Sequence, residues 1–65
     1  MKRRDLIRHL TDFGCELRRE GGNHSVYWNP ANEEVAAIPR HSEIPINLAR
    51  SICKQLEIEP PPRRA

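Results

Sequence analysis

Apolar residues Leu6, Ile7, Leu10 and Phe13 fall on one helical face with charged residues between them, and Gly14 follows as a stop signal. The spacing predicts an amphipathic helix over residues 2–13. The next stretch, Cys15-Glu16-Leu17-Arg18-Arg19-Glu20, begins by alternating apolar and charged positions, which is the period of a strand. Gly21-Gly22-Asn23 reads as a turn, because glycine and asparagine tolerate positive φ. Ser25-Val26-Tyr27-Trp28 is β-branched and aromatic and predicts a second strand. A loop over 29–33 precedes a third short strand over 34–38, and a polar connection runs from Pro39 to Pro45. Leu48, Ala49, Ile52, Cys53 and Leu56 then share a second helical face, with Asn47 placed to cap it.

The order helix, strand, strand, strand, helix has short links between its strands, which imply antiparallel hairpins. Two amphipathic helices on so small a sheet cover one face and leave the other open. The expected fold is therefore a small single α+β domain with a three-stranded antiparallel sheet and both helices on one side. Side chains alternate along Val26-Tyr27-Trp28, so at least one large residue points to the open face. Such a residue is either a partner contact or is covered by loops or the tail. The domain is expected to end at residue 58. Pro60-Pro61-Pro62 and Arg63-Arg64-Ala65 lack a core to join, giving a flexible tail over 59–65.

Composition narrows the class. With 65 residues the chain holds one domain and a thin core. No apolar run approaches the roughly 20 residues that span a bilayer, and the basic start lacks an apolar signal core, so a cytoplasmic protein away from membranes is expected. Cys15 and Cys53 are too few and too far apart for a disulfide framework or zinc site, and read as buried thiols. The net charge is only +2, but Lys2, Arg3, Arg4, Arg8, Arg18 and Arg19 crowd the first third. This clustering points weakly to phosphate-bearing partners; from charge alone an ordinary solvated charged surface is the favoured reading.

Three histidines are candidates for chemistry. His9 reads as a solvated helical residue. His24 follows a glycine turn and opens a strand, so regular structure holds its ring beside a backbone that other chains can approach closely. Imidazole exchanges protons near neutral pH. Cleavage of RNA through its own 2′-hydroxyl needs such a group, and cations near the phosphate, without requiring a metal. His41 lies after the third strand, near the second helix, where it supports a site or caps structure. Phosphate-binding loops, dinucleotide fingerprints, metal-binding histidine pairs and a serine nucleophile elbow are all missing from the sequence. Taken alone, a histidine after a glycine turn is most simply a surface residue.

Gly21-Gly22-Asn23-His24, Ile38-Pro39-Arg40-His41 and Leu48-Ala49-Arg50-Ser51-Ile52-Cys53-Lys54-Gln55-Leu56, in this order and spacing, resemble the HicA toxins. The opening Lys2-Arg3-Arg4-Asp5-Leu6-Ile7 and Phe13-Gly14 fit the same family, and the likeness runs to about Ile58. The resemblance implies a double-stranded-RNA-binding-domain-like fold and a type II toxin that cuts mRNA and is neutralised by a HicB-type antitoxin. It assigns catalysis to His24, as general acid or base. Gly22 and Asn23 would leave room for the RNA backbone, and Arg18, Arg19, Lys2, Arg3 and Arg40 would bind it. His41 and Ser25 would be accessory, with no metal or cofactor. Ser25 stands where many members carry a second histidine, so a single-histidine mechanism is implied. Asn47 replaces a glycine often found before the second helix. The alternatives are a small RNA-binding module that does not cut, or a degenerate toxin kept as an antitoxin partner.

Overall fold

Residues 1–62 are described by the structure, a computed structural model. Helix α1 spans Arg3–Asp12 and buries Leu6 and Leu10, as the apolar spacing predicts. It ends where Gly14 adopts a φ of 88°, a left-handed conformation that glycine reaches without steric cost. Strands β1 (Glu16–Glu20), β2 (His24–Asn29) and β3 (Glu34–Pro39) form one antiparallel sheet in that order, with β2 in the middle. Helix α2 spans Ile46–Gln55 and buries Ala49, Ile52 and Cys53. The α-β-β-β-α order and the one-sided helices match the expected fold.

The core is built from Leu6, Leu10, Cys15, Ala36, Ile38, Ile44, Ala49, Ile52, Cys53 and Leu56. On β2, Ser25, Tyr27 and Asn29 face the helices: Ser25 and Asn29 are buried, and Tyr27 packs against the core. Asn29 Nδ2 donates to the Leu56 carbonyl at 2.9 Å, and Asn32 Nδ2 donates to the same oxygen at 3.2 Å. These amides satisfy a carbonyl that the end of α2 leaves free. At the other end of the sheet, Arg3 N–H donates to the Ser42 carbonyl at 2.9 Å and Ile44 N–H to the Met1 carbonyl at 2.8 Å. The chain start is thereby stitched to the segment before α2.

Several local expectations are corrected. Asn47 does not cap α2: the cap position is Pro45, without a side-chain hydrogen bond, and Asn47 already lies inside the helix. The fixed φ of proline is compatible with helix entry, which lets α2 begin earlier than its apolar face. Residues 21–23 turn without positive φ; the left-handed residues are Gly14, Glu33 and Glu57. Glycine matters at Gly21 for a different reason, since a Cβ there would meet the His24 carbonyl oxygen at 3.0 Å. His9 is not freely solvated: its ring lies 4.8 Å from that of Phe13, and Nε2 donates to the Glu59 carbonyl at 2.8 Å. Pro61 is buried, so the proline run does meet packing at that residue. The last part of the anticipated tail, residues 63–65, lies outside the described residues. No helix among the described residues is long and apolar enough to cross a membrane.

Both cysteines are buried free thiols. Burial pushes the Cys53 thiol up to about 11, helped by the neighbouring Cys15, and burial raises Cys15 as well. The folded chain thus holds these protons more tightly than the unfolded chain.

Two outcomes follow from this packing. Ile38, fully buried on β3, should cost about 2–5 kcal/mol when changed to alanine, measured by urea unfolding at neutral pH. The stabilisation linked to Cys53 is fully present below the unfolded thiol value of 9.0 and is lost as pH rises through about 11. The loss approaches about 1.4 kcal/mol per pH unit for one such group. Urea midpoints taken on either side of the lower value should therefore fall with pH, and fall less steeply in Cys53→Ala.

Candidate functional site

The hairpin between β1 and β2 brings most of the predicted residues to one end of the sheet. Gly21 N–H donates to the His24 carbonyl at 2.8 Å, closing the turn. Across the other edge of β2, His24 pairs with Pro39, and Arg40 N–H donates to the Asn23 carbonyl at 3.3 Å. The backbone of His24 is therefore held from both sides. Its side chain is exposed, and no hydrogen bond ties its ring to another described residue. A Cβ at Gly22 would meet nothing within 4 Å, so the space outside this turn is open.

Ser25 points the opposite way, into the protein. Its Oγ accepts from Arg3 Nη2 at 2.7 Å and donates to Glu20 Oε1 at 2.7 Å. Arg3 Nε also donates to the Pro39 carbonyl at 2.8 Å. Glu20 Oε1 accepts a short hydrogen bond from Arg40 Nη2 as well. Arg40 completes the chain by donating to the Gly21 carbonyl from Nε at 3.1 Å and Nη2 at 2.9 Å. A neutral hydroxyl and one carboxylate, Ser25 and Glu20, lie between the guanidinium groups of Arg3 and Arg40, and this network ties α1, β1, β2 and the segment after β3 together directly behind His24. Charge-assisted hydrogen bonds of this kind are stronger than neutral ones.

The network sorts the predicted cations. Arg3 and Arg40 are committed to protein oxygens, and Lys2 pairs with Glu43 at 3.2 Å. Arg18 and Arg19 form no ion pair among the described residues; they lie on β1, at the open side of the sheet. Pairing places Arg19 opposite Val26, two residues from His24 on the same face. Such diagonal neighbours have Cα atoms about 7–8 Å apart, within reach of a long side chain. The register shifts between Leu17 and Arg19, leaving Arg18 as the extra residue of a bulge. Its guanidinium lies over the Trp28 ring, 4.7 Å from the centroid. His41 is exposed and stands five positions before the first residue of α2, Ile46.

Trp28, and not Tyr27, is thus the large residue on the open face, a choice that alternation alone left unresolved. Sequence reading missed Glu20, whose role depends on meeting Ser25 and Arg40 at once. A carboxylate just before a glycine turn, opposite a serine just after it, was the available signal. It also missed the pairing of Arg18 with Trp28, which the bulge creates.

The geometry is that of a small basic sheet face with one exposed imidazole held at a turn. Comparison with curated proteins found no match, and comparison with solved structures found none either. The family model described as the HicA toxin of bacterial toxin-antitoxin matches residues 3–58, which include both helices, the whole sheet and every residue of the network behind His24. The chain belongs to the HicA toxin family.

Proposed function

We propose that this chain is the toxin of a type II toxin-antitoxin pair, a cytoplasmic endoribonuclease that cuts mRNA at His24 and is neutralised by a HicB-type antitoxin. The observation that carries the reading is the pairing of an exposed imidazole, on a backbone fixed from both sides, with Arg19, which has no ion pair among the described residues, as its diagonal neighbour. In the proposed reaction the ribose 2′-hydroxyl gives its proton to His24 while its oxygen forms a bond to the adjacent phosphorus. The bond from phosphorus to the 5′-oxygen breaks, and that oxygen takes a proton from the imidazolium or from water. The products are a 2′,3′-cyclic phosphate and a 5′-hydroxyl. Arg19 is placed to stabilise the negative charge that grows on the phosphoryl oxygens. Open space outside Gly22, beside the exposed Asn23, gives the ribose-phosphate chain an approach.

Arg3, Ser25, Glu20 and Arg40 act in this reading as positioning residues, since they hold the backbone around His24 and not the reacting atoms. Lys2 and His41 lie at the same end of the molecule and would serve at most the periphery of the RNA path.

General acid-base groups contribute about 100- to 10,000-fold to rate. His24→Ala should therefore lose cleavage of a labelled mRNA by that order and lose growth arrest on induction, with its circular dichroism spectrum intact. Wild-type cleavage should persist in EDTA, because the proposed proton transfer and charge stabilisation come from side chains. An intact but shifted RNA band with the wild-type protein would instead identify a binding module.

Ser25→Ala separates positioning from chemistry. It leaves Arg3 and Glu20 without their shared hydroxyl partner, a defect worth about 1–3 kcal/mol. Its urea midpoint should fall, while its cleavage at a temperature where it stays folded should exceed that of His24→Ala.

A further inference from the structure

Trp28 follows His24 by four residues on β2 and shares its face. At about 3.3 Å of strand rise per residue, their Cα atoms lie about 13 Å apart. The indole is only partly buried, and Val35, directly opposite it on β3, is 48% exposed. Ala37, opposite Val26, is exposed too, so small apolar residues floor this side of the sheet. Over the ring sits the Arg18 guanidinium, itself exposed and without an ion-pair partner among the described residues. The ring therefore already holds a flat cationic group that no carboxylate anchors.

We propose that Trp28 and Arg18 form a nucleobase-stacking subsite for single-stranded RNA. An unpaired base takes the place of the guanidinium on the indole, and Arg18 turns to a phosphate flanking that base. The inference rests on the reading of His24 as the cleavage centre, and it names the second point at which the substrate is held.

Chemistry favours this occupant over others. A base presents a flat π-face of the kind the indole already accepts from the guanidinium, together with an anionic backbone that uses the released charge. An apolar protein surface would fill the ring but leave Arg18 desolvated and unpaired, which is costly. Bases inside a duplex already stack on their neighbours, so their faces are not available to a side chain on a sheet. Glu16, which pairs with Trp28 across β1, repels phosphate from its own side. The flanking phosphate is thus directed towards Arg18 and Arg19.

Trp28 is the chain's one tryptophan, so its fluorescence reads the subsite directly. The test uses the full chain carrying His24→Ala, titrated with a short single-stranded RNA, with the duplex of the same sequence, and with strands abasic at successive positions. Single-stranded RNA should quench the indole, the duplex should bind at least about tenfold more weakly, and one abasic position should abolish the quench. Loss of one base-aromatic stack lowers affinity by roughly 5- to 150-fold. In the same background Trp28→Leu, which keeps apolar bulk without a π-face, should bind RNA more weakly by that factor, while Trp28→Phe stays within a few-fold. With His24 restored, Trp28→Leu should raise KM by a similar factor and lower kcat by less.

Equal binding by the leucine and phenylalanine variants would overturn the subsite. So would equal quenching by duplex RNA, or quenching by a HicB-type antitoxin but not by RNA. Because binding is read in a variant that lacks His24, these results stand whether or not His24 performs cleavage. Cleavage surviving His24→Ala would defeat the catalytic reading alone.

Discussion

Two polar side chains buried on β2 fix the register on which everything else depends. Ser25 and Asn29 lie at the two ends of the strand's helix-facing row, 1% and 6% exposed. A buried polar group is costly unless its hydrogen bonds are made. Ser25 finds Arg3 and Glu20, Asn29 finds the Leu56 carbonyl, and no buried side-chain nitrogen or oxygen among the described residues lacks a partner. A slip of one residue would take both groups away from these partners and turn His24, Val26 and Trp28 into the core. The exposure of the imidazole is therefore a consequence of hydrogen bonds made on the opposite face of the same strand. Stability and the presentation of the site are set by one alternation.

Electrostatics divide along the same line. The chain carries eleven lysines and arginines against nine acids, so its net field is weak. Local arrangement decides what each cation can do. Arg3 is part-buried and donates to two oxygens, which makes its charge structural. Arg40 and Lys2 are more exposed, and their pairs with Glu20 and Glu43 contribute little by solvent-screened attraction alone. Arg40 gains significance from geometry: its donors also hold the Gly21 carbonyl and so shape the turn before His24. Arg18 and Arg19, without ion pairs among the described residues, stand on the face of β1 and β2 that carries the imidazole. A modest net charge thus coexists with a distinct basic edge.

The elements were legible because their signals are local. Leu6 and Leu10 mark a helical face within one turn, and Gly14 marks its end. Ala36 and Ile38 show the strand period in two steps. The three histidines were equally visible, and so was the coincidence of His24 with a turn. What escaped was everything decided by distant pairing. Arg3 meets Ser25 across 22 positions and Pro39 across 36, which no periodicity reveals. His9 looked solvated because its partner, Glu59, lies 50 positions away. Asn47 looked like a cap because side-chain preference was read without Pro45, whose fixed φ takes the helix back by two residues. The bulge at Arg18 is a property of pairing between strands, so a single strand's pattern cannot show that this arginine reaches Trp28.

A thin core has a further consequence for the open face. Two ten-residue helices suffice for one side of three short strands, and on the other side Val35 remains 48% exposed. In a domain of this size such a residue withholds apolar area that burial would turn into stability at roughly 25 cal/mol per Å². A ligand that covers the sheet and does not bind the unfolded chain adds to the folding equilibrium by mass action. The marginal stability of a small fold and the affinity of its exposed face are therefore linked through the same surface. Two ligands that both need His24, Val26 and Trp28 exclude each other there, so either one seated on this face would block the other without any change in the shape of the protein. The hydrogen-bonded backing of β2 favours that kind of competition over a switch, because a slipped register would break the bonds joining Arg3, Ser25, Glu20 and Arg40.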